Sequence, residues 1–145
     1  MLKIKRILPA ALTLCLGLTA LGAQAQVAVV VSAKSSLASL SPEQAANVFL
    51  GRSNALPGSS GTAALVDLPE GSAVREQFYS KAAGKTSAQV KAAWSRLTFS
   101  GKATPPKELN SAADVKKFVA ANPEAVGYIE KSAVDSSVKV VLVLE

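Results

Sequence analysis

Short β-branched runs alternating with capped helical stretches predict an α/β fold, a mixed sheet with helices packed on it. Three observations carry that prediction. Val27-Ala28-Val29-Val30-Val31 is an unbroken apolar run of strand length. Two capping patterns, Ser41-Pro42-Glu43-Gln44 and Thr86-Ser87-Ala88-Gln89, each open a stretch with helical periodicity. Strand character returns at Val138 to Leu144, so elements of both kinds are interleaved, and such elements pack in layers around a sheet.

Each element has its own signals. In the first helix Ser41 is the N-cap, Pro42 takes the first helical position, and Gln44 lies three residues after the cap. Ala45, Val48 and Phe49 recur at helical spacing until Gly51 stops it. Residues 52–62, rich in Ser, Gly and Pro, read as a loop, and Ala63 to Leu68 as a short strand. A second helix is expected from near Ser72, with Val74, Phe78 and Ala82 inward and Gly84 at its end. The third follows the Thr86 cap and places Val90, Trp94 and Leu97 on one face. Ser100-Gly101-Lys102 and Pro105-Pro106 punctuate the next loop. A fourth helix runs from Ser111 to Ala121 with Val115, Phe118 and Val119 as its core stripe, and Asn122-Pro123 stops it. Strands at Ala125 to Ile129 and Val138 to Leu144 complete the set, with no internal repeat and no dividing linker.

The first 25 residues are of another kind. Lys3, Lys5 and Arg6 precede an apolar run from Ile7 to Leu21, which ends at the small-x-small sequence Ala23-Gln24-Ala25. That is the layout of a cleavable secretory signal, with cleavage expected after Ala25 and a periplasmic destination. The run is shorter than the roughly 20 residues a bilayer span needs, and no second one follows, so the cleaved chain is not expected to span a membrane. Bulky Leu14 before Cys15 argues against a lipoprotein. The 145-residue chain thus divides into a signal peptide, 1–25, and a single domain, 26–145. Lys3, Lys5 and Arg6 leave with the signal, so 16 basic residues become 13 against 10 acidic ones.

Composition excludes several chemistries. The chain has no histidine, and its one cysteine, Cys15, lies in the signal. A Ser-His-Asp or Cys-His pair is therefore impossible, and so is a zinc site built on those ligands. The acids are scattered, with no cluster suited to calcium or magnesium, so no metal and no cofactor is expected. Ser136-Ser137-Val138-Lys139 spells S-x-x-K, but that motif needs a helix and here it runs into a strand. The expectation is a protein that is not an enzyme. The basic residues are dispersed and aromatics few, so no nucleic-acid face is expected.

One segment suggests binding. Gly71-Ser72-Ala73-Val74-Arg75 stands where strand and turn pass into a helix, whose free N–H groups attract anions. Ser72 can cap the helix or donate its hydroxyl. Arg75 falls in the first turn, where the macrodipole disfavours a cation. Either a bound anion or Asp67, Glu70 or Glu76 must compensate it. Ser72 and Arg75 are the candidate ligand-binding residues.

The segment from Ser41 to Gly51 resembles the helix and I-F-x-G stretch of the phosphate-binding periplasmic proteins of ABC transporters. Val66 to Phe78 is similar to their strand, anion loop and helix. Trp94-Ser95-Arg96-Leu97-Thr98-Phe99-Ser100-Gly101-Lys102 matches a later stretch, and Asn122 to Ile129 is similar to the family's I-G-Y segment. The matches follow one another in family order. The resemblance implies a single lobe of a type II periplasmic-binding-protein-like fold, since family members close two lobes on their ligand and are roughly twice as long. It also implies a phosphate or other small oxyanion as ligand. The anion motif departs from the family: Asp67 stands near the family's Arg position, and Gly71-Ser72-Ala73 replaces Ser-Gly-Thr. Ser60-Gly61-Thr62 spells the triplet but precedes a strand, where it lacks a helix start. Two functions stay open on this reading: a small-anion-binding module, and a ligand-free lobe that docks a periplasmic or membrane protein.

Overall fold

The computed structural model describes residues 26–145; the expected signal peptide and Cys15 lie outside them. Among the described residues the chain runs β1 (Val27–Ser32), α1 (Pro42–Phe49), β2 (Ala64–Asp67), α2 (Ala73–Ala83), α3 (Ser87–Phe99), β3 (Lys107–Glu108), α4 (Ala112–Ala121), β4 (Ala125–Glu130) and β5 (Val138–Leu144). The five strands form one sheet in the order β3-β2-β4-β1-β5. β1 is antiparallel to β4 and to β5, whereas β2 is parallel to β4 and to β3. This is the mixed α/β sheet the sequence predicts.

All six residues of β1 are buried. A strand covered on both faces has no reason to alternate, which is why Val27 to Val31 form a continuous apolar run. α4 packs on β4 and β1, and α1 packs against α2. Gly127, in the middle of β4, makes the α4 contact possible. A Cβ there would come within 2.6 Å of Val66 Cγ2 and 2.8 Å of Val115 Cγ1.

The caps are built as expected. Ser41 and Thr86 form full capping boxes with Gln44 and Gln89, and Gly84 ends α2 in the left-handed conformation. Ser111 caps α4 from just outside it. Three details differ from expectation. β2 is one residue shorter at each end than Ala63 to Leu68. The two-residue β3 pairs through backbone alone, with both residues exposed, and leaves no pattern in the sequence. A single 3-10 turn at Lys131–Ala133 separates β4 from β5. Where β5 meets β1 the register shifts between Val29 and Val30, leaving Val141 as an extra residue; its carbonyl accepts the Leu40 N–H at 2.9 Å.

Candidate functional site

The two candidate residues lie at the start of α2. Ser72 is half-buried, and its Oγ accepts the Arg75 N–H at 3.3 Å, so the helix cap is what joins the pair. Arg75 is only 7% exposed, although a cation in the first turn reads as a surface residue. Its guanidinium points inward: Nε lies 3.4 Å from Asp67 Oδ1, and Nη1 donates to Ser87 Oγ at 3.2 Å. The counter-charge the sequence requires for Arg75 is therefore Asp67, at the end of β2, and neither Glu70 nor Glu76.

Asp67 is itself 7% exposed and collects donors from α2, from β4 and from the residue that follows it. Tyr79 Oη donates to Oδ2 at 2.6 Å, Tyr128 Oη donates to Oδ1, and the Leu68 N–H donates to Oδ1 at 2.9 Å. A buried carboxylate so saturated is compensated where it stands. Burial, reinforced by the negative charge of Asp67, pushes both phenols well above the usual tyrosine range. Arg75 and Tyr79, one helical turn apart on α2, also meet face on, with the guanidinium carbon 5.2 Å from the ring centre.

These burials change the reading of α2. Phe78 faces inward as expected, but its buried companions are Arg75 and Tyr79, while Val74 and Ala82 are half-buried. An apolar stripe could not reveal this, because the buried face of α2 carries a cation and a phenol. Phe78 stacks on Tyr128 at 4.1 Å and meets Phe49 edge-on at 4.8 Å, so rings from α1, α2 and β4 pack beside the polar group. The sequence names Asp67 as a partner but gives no sign of Tyr79 and Tyr128, whose role depends on β4 pairing beside β2.

Arg75 and Asp67 form part of the wall of an open cavity of about 640 Å³, shared with Glu70, Lys91 and Glu108; Ser72 does not line it. Lys91 and Glu70 lie 3.6 Å apart on the exposed rim. Three acids and two bases give this face no surplus of positive charge. The Ser95 and Thr98 hydroxyls also line it, and beside it the unbonded first-turn amides of α2 and the Ser72 hydroxyl proton can donate to a ligand. No group of three or more potential metal ligands occurs among the described residues, and no described helix is long and apolar enough to cross a membrane. Ser136 to Lys139 runs into β5, and Ser60-Gly61-Thr62 leads into β2, each without a helix.

No protein-family model matches the chain, and no curated protein sequence does. Solved structures do match. An ABC-type phosphate transport receptor from Vibrio cholerae aligns over 81% of this chain with 27% identity and a TM-score of 0.65. A structure from Clostridium perfringens with bound phosphate, assigned as a phosphate ABC transporter substrate-binding protein, aligns over 81% with 21% identity and a TM-score of 0.66. PstS from Borrelia burgdorferi aligns over the same share with 13% identity and a TM-score of 0.60. The alignments cover only 46%, 45% and 47% of those proteins, so the chain spans less than half the length of the receptors it matches. In fold, this chain resembles one lobe of the phosphate-binding substrate-binding proteins of ABC transporters.

Proposed function

We propose that the chain is an exported, single-lobe solute-binding protein that holds phosphate or a similar small oxyanion at the start of α2. The likeness of 81% of the chain to phosphate transport receptors carries this reading. On it, the Ser72 hydroxyl and the first amides of α2 donate to the anion, and Arg75 supplies positive charge from behind. Asp67 offsets most of that charge, and one lobe offers half a cleft, so the affinity expected is weak. Nothing in the reading requires catalysis, a metal or a cofactor.

Isothermal titration of the purified protein with phosphate tests it. Weak but saturable heat is expected, lowered by Ser72→Ala. Asp67→Asn removes the offsetting charge while keeping the shape of the side chain, and should tighten binding by about tenfold. Absence of heat in both the wild type and Asp67→Asn would overturn the reading. Export has its own check: protein recovered from the periplasm should begin at Gln26, and an intact Met1 to Ala25 segment would contradict the expected cleavage.

A further inference from the structure

A second cavity, of about 890 Å³, lies between the end of α1, the beginning of β2 and the 102–107 segment. It is walled off from the Arg75 cavity by Trp94, Pro105 and Pro106, which line both. Its charged lining is Arg52, Lys102 and Lys107, without a carboxylate. Glu108, next in the chain to Lys107, lines the other cavity instead, because successive residues of a strand point to opposite sides. Three like charges around one concave space repel one another and focus positive potential into it. Among the described residues, neither the Arg52 guanidinium nor the Lys102 ammonium has a hydrogen-bond or ion-pair partner.

The cationic wall is firmly held. The Arg52 N–H donates to the Asn47 carbonyl at 2.8 Å, and the Ser53 N–H donates to the same carbonyl at 3.1 Å. Gly51 precedes them with φ +73°, and the space a Cβ would take there is filled by Leu97 and Trp94. The turn after α1 is thus pressed against α3, and Trp94 Nε1 donates to the Phe49 carbonyl at 2.9 Å across the same contact. On the opposite wall, Lys107 Nζ sits 5.0 Å from the centre of the Phe118 ring. The cavity is therefore lined by two aromatic rings as well as by cations.

We propose that this cavity binds a small organic anion, a molecule with an apolar body and a negatively charged group. A bare oxyanion would leave most of it empty, since small-molecule sites occupy about 300–1,000 Å³. Arg52 and Lys102 hold the charged group, and Trp94 and Phe118 border the apolar body. The residues come from segments about fifty positions apart, which is why no sequence motif announces them. The site is separate from the α2 face and does not depend on phosphate being bound there.

Phenyl phosphate is a suitable probe, compared with inorganic phosphate and with phenol. Binding is followed by calorimetry and by the fluorescence of Trp94, the chain's only tryptophan. Phenyl phosphate should bind at least about tenfold more tightly than inorganic phosphate or phenol, and Arg52→Gln with Lys102→Gln should weaken it by about tenfold or more. Both residues are exposed, so the double variant should keep the wild-type circular dichroism. Ser72→Ala should leave phenyl phosphate binding unchanged, which separates failure of this site from failure of the α2 site. Phenyl phosphate binding no tighter than phenol or inorganic phosphate, or binding that is undiminished in the double variant, would overturn the proposal.

Discussion

Asp67 gathers an amide, two phenols and a guanidinium around one carboxylate, and so ties the end of β2 to both α2 and β4. The two phenols, Tyr79 and Tyr128, are the only tyrosines in the chain, so they can be titrated without interference. Both are held protonated by burial and by the adjacent carboxylate, with folded pKa values above the ordinary value of about 10. A raised folded pKa means the stabilisation is fully present below about pH 10 and is lost as pH rises, because the unfolded chain then releases protons that the folded chain keeps. The folded protein should therefore show no tyrosinate absorbance as pH passes 10, and the band should appear together with the loss of circular dichroism. Tyrosinate formation near pH 10 with the dichroism intact would contradict the buried network.

At the scale of the elements, Gly127 is a point where side chains of both β2 and α4 close over β4 and leave no room for a Cβ. Gly127→Ala should destabilise the protein by about 1–3 kcal/mol, read from the urea midpoint, because the added methyl must displace Val66 and Val115. Most elements were legible in the sequence, since their signals are local. The Ser41 and Thr86 boxes, Gly84 and the Val27 run each sit within a few residues of the boundary they set. β3 was not, because it exists only through its pairing with Val66 and Asp67. The inward turn of Arg75 was equally hidden, for it depends on Asp67 lying within reach across a turn and on Tyr128 arriving from β4. The start of α2 could be named from Gly71-Ser72; what stands behind it is tertiary.

At the scale of the whole molecule, the chain spans under half of the receptors it resembles, and its sheet ends on two unlike edges. β3 is two exposed residues long and offers little backbone for another strand to pair with. β5 is a seven-residue, almost wholly apolar edge, the kind that recruits strands from other molecules. The register shift described above bears on this. The Leu40 N–H bonds to the Val141 carbonyl, and Lys139 Nζ donates to the Ser35 carbonyl at 2.6 Å, so the segment before α1 is tied to β5 at two points. That segment covers part of the edge and leaves less of it open to pairing with another strand. Leu40→Pro deletes the N–H, and the variant should form thioflavin-positive aggregates on concentration, followed by light scattering, faster than the wild type. An irregularity of one residue in β5 would then govern how long the protein survives in concentrated solution.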